Sequence, residues 1–151
     1  MRRGIAIYRG QGALAWLSPA EAVLAIAEAS AREIDAGLKR LDDALAEVGR
    51  TVQRYCEAEM HRIRAGILLK CQPANTAASE QSLQTAISIA QSQKARSFEL
   101  RAALSLAMLY RAANRDADAH AVLARAVEGF PPTEQFPEFA EAQALLAALG
   151  L

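Results

Sequence analysis

The stretch Ala119-His120-Ala121-Val122-Leu123-Ala124-Arg125-Ala126-Val127 decides the fold, because its pattern occurs three times. The other copies are Gly37-Leu38-Lys39-Arg40-Leu41-Asp42-Asp43-Ala44-Leu45 and Ser79-Glu80-Gln81-Ser82-Leu83-Gln84-Thr85-Ala86-Ile87. Each has a small residue, a leucine four positions on, an alanine three after that, and then an aliphatic residue. On an α-helix that spacing places the small residue, the leucine and the alanine along one face. Leu41 and Leu83 are 42 residues apart, and Leu83 and Leu123 are 40 apart. A repeat of that length is one supersecondary unit, and a hairpin of two helices buries its apolar face only by stacking on its neighbours. The preceding helices align through the small residues Ala27, Gly66 and Ala107, with Ser30, Leu69 and Tyr110 three positions later.

Composition agrees with helices and with nothing else. Alanine supplies 35 of the 151 residues, within a hydrophobic fraction of 52%. Val is 5, Ile is 8 and aromatics are 5%, too few to clothe a pleated sheet. Alanine, leucine, glutamate and arginine are strong helix formers, and small side chains let helices cross closely. The apolar fraction excludes a disordered chain. No run of about 18 uncharged apolar residues exists to span a membrane. The first residues, Met1 to Arg9, are too short and too charged for a secretory signal. Cys56 and Cys71 do not make a disulfide framework; on one helix they would stand roughly 22 Å apart. A reduced, cytoplasmic setting is expected. The net charge is zero, but residues 51–125 carry an excess of four bases and residues 126–151 an excess of four acids. Neither excess is the basic stripe that nucleic acid requires.

Helix ends are legible. Ser18-Pro19-Ala20-Glu21 reads as a capping box with proline in the first turn. Asp35, Thr76 and Ser97 are candidate caps, and Gly49 and Asn114 candidate stops. A longer helix is expected from about Thr51 to Lys70, and a last one from Pro137 to Leu149. Residues 3–16 could add a helix at the front. The expectation is a single all-α domain over 1–151, built of stacked antiparallel helical hairpins at 18–50, 51–94 and 97–131. Residues 1–17 form a lead-in and 137–149 a capping helix.

Residues 100–131 resemble a tetratricopeptide repeat: Ala103, Leu106, Ala107, Tyr110, a turn at Asn114, then Ala119, Leu123, Ala126 and Pro131. That motif usually has tryptophan where Ala103 stands and glycine where Ala107 stands, so this copy is degenerate. The 40–42-residue period also exceeds the motif's usual length of about 34. A second resemblance spans residues 24–149. It rests on Glu57 to Leu69, on Ala95 to Ala107, and on Glu128-Gly129-Phe130 followed by Ala140 to Leu146. In that order they look like the C-terminal tetratricopeptide region of large bacterial signalling proteins. Those proteins join an adenylate/guanylate-cyclase-like or DNA-binding domain to a predicted ATPase. No counterpart of those other domains lies in these 151 residues, so their activities do not carry over. The resemblance implies a tetratricopeptide-like α-solenoid of about three repeats.

Chemistry is scarce. Gly10-Gln11-Gly12 lacks the third glycine of a nucleotide loop, with Ala15 in its place, and no P-loop lysine follows. The two histidines, His61 and His120, cannot build a metal site or a triad, although Glu57 can pair with His61 four residues on. Asp42 and Asp43 are adjacent on a helix, so their carboxylates diverge and read as a solvated face. The expectation is no catalytic, cofactor or metal residue, no enzyme, and a protein or peptide partner. By the resemblance, the first helix of each hairpin lines a concave groove with Met60, Ile63, Ile67, Lys70, Arg101, Leu104, Met108 and Arg111. In the alternative, the apolar members of that set bury against the next hairpin or a second subunit. The chain is then a structural, homo-oligomerising domain.

Overall fold

The computed structural model describes residues 3, 5–7, 17–31, 33–49, 54–128, 130 and 136–150. Among these there is no strand. Seven helices run through them: α1 (Leu17–Ser30), α2 (Ile34–Val48), α3 (Glu57–Cys71), α4 (Ala77–Ser92), α5 (Arg96–Ala112), α6 (Asp116–Val127) and α7 (Pro137–Leu149). Arg3 and residues 5–7 are also helical, and Ile5 is buried against Leu24 of α1. The glycine motif at residues 10–12 lies outside the described residues, as does the side chain of Ser18.

The three copies of the repeated segment behave alike. Gly37, Ser79 and Ala119 are buried, and so are Leu41, Leu83 and Leu123, each no more than 1% exposed. Ala44, Ala86 and Ala126 are buried, and Leu45, Ile87 and Val127 are half-buried. The preceding helices follow a different register from the one their small residues suggest. A Cβ on Gly37 would lie 2.7 Å from the carbonyl oxygen of Ala25, and the Ser79 hydroxyl donates to the carbonyl of Ala65 at 3.1 Å. The turns after α1 and α5 repeat one hydrogen-bond set. Glu33 N–H reaches Glu28 C=O, Arg115 N–H reaches Tyr110 C=O, and Gly37 and Ala119 donate to Glu33 and Arg115. These bonds make Ala25, Ala65 and Ala107 the matching small residues, all fully buried, whereas Ala27 and Gly66 are exposed. The matching alanine stands 16 residues before Leu41 and Leu123 but 18 before Leu83, because residues 72–76, with Pro73, form a longer connection than 31–33 or 113–115.

Other ends depart from expectation in detail. The third helix begins at Glu57 rather than near Thr51, which lies outside the described residues. Thr76 holds the N-cap position of α4 without a side-chain cap bond, and α2 and α5 start one residue before Asp35 and Ser97. Asn114 does stop α5, in the left-handed region at φ 57°, and Lys94 after α4 adopts the same conformation at φ 55°.

Consecutive helices pack together throughout, and a second pattern overlies this. α1 touches α3, α3 touches α5, and α5 touches α7, while α2, α4 and α6 make no comparable contact with one another. The odd-numbered helices are thus one contiguous layer, and the even ones lie separately against it. Two core clusters meet at α3. Met60, Ile63 and Ile67 join the first with α1 and α2; Ala65, flanked by Leu69, joins the second with α4 to α7. A helix with neighbours on two sides must be apolar on two sides, and α3 is.

Candidate partner-binding face

The burial pattern divides the eight expected groove residues. Met60, Ile63, Ile67 and Leu104 are core residues, between 0% and 9% exposed, so they hold helices together and offer nothing to a ligand. The reason is the layer contact: each odd helix leans on the next, and the flank expected to be open is covered. Lys70, Met108 and Arg111 are exposed, and Arg101 is half-exposed.

Arg101 is committed to a tie between helices. Its Nε donates to Glu138 of α7 at 2.8 Å, and its Nη1 lies 3.6 Å from Glu59 of α3. Glu59 in turn accepts both guanidinium bonds of Arg62, at 2.8 and 2.9 Å. The Arg101 guanidinium, with the backbone at the start of α7, holds the Glu138 carboxyl below the usual carboxylate range. These four residues form a band across the N-terminal ends of α3, α5 and α7 in which charges balance. Lys70 and Arg111, at the opposite ends of α3 and α5, have no ion pair among the described residues.

Between the band and those two cations the face is mostly apolar, with Glu141 of α7 as its one further charge among the groove-lining residues. A groove of 440 Å³ runs between α3 and α5, with Gly66, Leu69, Met108 and Leu109 along it. A second, of 570 Å³, runs between α5 and α7 past Met108, Ala112, Ala144 and Ala148. Met108 is the ridge between them, and its side chain is 46% exposed. In the corrected register Ile26, Gly66 and Met108 are equivalent, each following the buried alanine. The sequence signal for this face was available but was read two residues off in α1.

A third groove, of 520 Å³, lies on the other side, between α4 and α6 over a floor of Ala103 and Leu106. Its one buried charge, Glu99, is satisfied by Gln91 at 2.9 Å and by Arg96 at 2.7 Å. Arg96 also donates to the carbonyls of Ala126 and Glu128 and covers the Phe130 ring, tying α5 to the end of α6. At the far end Tyr110 donates to Glu80 at 2.9 Å, and burial pushes its phenol pKa up.

His61 is half-buried, and desolvation lowers its pKa despite the nearby Glu57, whose carboxylate is held by Arg54 at 2.7 and 2.9 Å. His120 is half-buried on α6. Asp42 accepts from Arg64 of α3 while Asp43 accepts from Lys39, so the two carboxylates do diverge. Among the described residues no group of three or more His, Cys, Asp or Glu converges. Cys56 and Cys71, at opposite ends of α3, are not joined in a disulfide. Comparison with known protein families, curated proteins and solved structures finds no match for this chain.

Proposed function

We propose that this chain is a non-catalytic, tetratricopeptide-like repeat module that binds a protein or peptide partner on the face of α3, α5 and α7. The observation that carries the reading is the contiguous layer of odd helices, with equivalent exposed positions Ile26, Gly66 and Met108 along it. A face of that kind presents small or apolar positions at regular spacing, which suits contact with another protein or peptide. Bacterial signalling in the cytoplasm is the proposed setting, on the sequence resemblance. Among the described residues no helix is long and apolar enough to cross a membrane. Affinity capture from the source cells tests the face. Met108→Glu should lose the partner, and Ala121→Glu, in the groove on the other side, should keep it. The same partner recovered with Met108→Glu would remove the binding surface from this face. Arg101→Glu is unsuited to the test because it breaks the ties to Glu59 and Glu138.

A second reading has one observation in its favour. α1 exposes Val23 at 51% and Ile26 at 40%, beside the exposed Ala27, with no charge among them. Homo-oligomerisation through the first hairpin would cover that strip. Light scattering that finds the wild-type chain monomeric would eliminate this reading.

A further inference from the structure

Resting on the reading of this face as a binding surface, we infer that the α3/α5 groove receives one bulky apolar side chain of an acidic partner segment, seated over Gly66. Gly66 lies in the interior of α3, where glycine is disfavoured by up to about 1 kcal/mol against alanine. A buried glycine can offset that cost by letting backbones approach, and Gly37 does so: its Cβ would strike a carbonyl at 2.7 Å. Gly66 has no such reason. A Cβ built there meets nothing within 4 Å. No contact within the described chain uses the space left by its missing side chain, and Gly66 lines the groove.

The walls fit an apolar anchor. Leu69 and Leu109 supply fixed surface, and Met108 supplies a flexible thioether suited to varied shapes. Polar groups are few, and the Ser105 hydroxyl is already spent on the carbonyl of Arg101 at 3.0 Å. A polar metabolite would find little to bind. At 440 Å³ the groove is near the lower end of ligand-site volumes, the scale of an anchoring side chain with its neighbours. The charge of the partner follows from the two ends of the face. The band of Glu59, Arg62, Arg101 and Glu138 is self-neutralised, whereas Lys70 and Arg111 make no ion pair among the described residues and, with Glu141 beside Arg111 in the α5/α7 groove, leave the rest of the face with a net positive charge. Carboxylates beside the anchor complement that end.

The test is a random-peptide display selection on the full chain. Enriched peptides should share one Leu, Phe or Trp with Asp or Glu close by. Gly66→Leu should weaken them about 30-fold or more, the loss of a central anchor, without lowering the melting temperature. Lys70→Glu combined with Arg111→Glu should weaken them further at low salt than at high salt. Enriched peptides that ignore Gly66→Leu but are lost with Met108→Glu would overturn the Gly66 seat and leave the face intact. Peptides that ignore both substitutions, or no enrichment at all, would overturn the seat and the face together. Enrichment of basic peptides would overturn the charge assignment.

Discussion

The first and third hairpins reverse the chain with the same turn and are held together by different chemistry. Every matched pair of residues differs by 82 in number: Glu33 with Arg115, Gly37 with Ala119, Leu41 with Leu123. At three of these matched positions the first hairpin has Glu21, Glu28 and Arg40, and the third has Ala103, Tyr110 and Val122. Arg40 donates twice to Glu28, at 2.8 and 2.9 Å, and once to Glu21 at 2.8 Å. Both carboxylates are buried, and they hold the guanidinium pKa far above its ordinary value. In the third hairpin the same places are filled by apolar surface. The backbone of the turn is therefore indifferent to what lies beneath it, and the turn from α4 to α5 makes the same bonds, Ala95 N–H to Ala90 C=O and Glu99 N–H to Ala95 C=O.

The largest expected effect breaks the charged version. Arg40→Val copies the third hairpin at one position and removes the three bonds that Arg40 makes to two buried carboxylates, so it should cost about 3–5 kcal/mol. The triple change Glu21→Ala, Glu28→Tyr, Arg40→Val copies all three and should recover most of that loss in chemical denaturation. A triple variant no more stable than Arg40→Val would mean that the two hairpins are not equivalent beneath the turn.

The next effect concerns closeness of approach. Gly37→Ala drives a Cβ against the Ala25 carbonyl and should destabilise by about 1–3 kcal/mol. Ala119 already carries a Cβ at the matching place while fully buried, so the third hairpin has room there for a methyl group. A thermal melt of Gly37→Ala equal to wild type would deny that difference.

Gly66→Ala has the opposite sign. With open space at the Cβ and helix on both sides, it should stabilise by about 0.5–1 kcal/mol, read as a raised melting temperature. The two helical glycines thus separate a packing role from a vacant one. A loss of stability in Gly66→Ala would show that the space is used within the chain.

The smallest effect is a pH dependence. Burial disfavours the His61 imidazolium, so its folded pKa lies below the 6.5 of the free side chain. The unfolded chain then takes up the proton first as pH falls. Stability should be unaffected above that value and decline as pH drops through it. The slope is at most about 1.4 kcal/mol per pH unit, levelling off below the folded pKa. His61→Gln should flatten the decline between pH 7 and 5. An unchanged slope would assign it to other groups.

The helical class and the second helix of each hairpin were legible from residues alone. Leu41, Leu83 and Leu123 are buried as their spacing implies, because the periodicity of an amphipathic helix is a local property of the chain. Much of the candidate site was not legible. Met60, Ile63 and Ile67 looked like a groove lining because an apolar stripe does not say which neighbour covers it. Arg101 looked free because its partners, Glu59 and Glu138, are 42 and 37 residues away in sequence. Ala27 was matched with Gly66 because alanine is so common here that two candidate registers look alike.

The sequence by itself determined that this chain is helical, that its second helices repeat, and where the turn at Asn114 falls. Each of these follows from the spacing and type of residues within a few turns. Only the tertiary structure decided which alanines face inward, which flank of α3 belongs to which core, and that Gly66 opens onto a groove. Those depend on how far one helix leans on the next. That distance is set by side chains and loops dozens of residues apart.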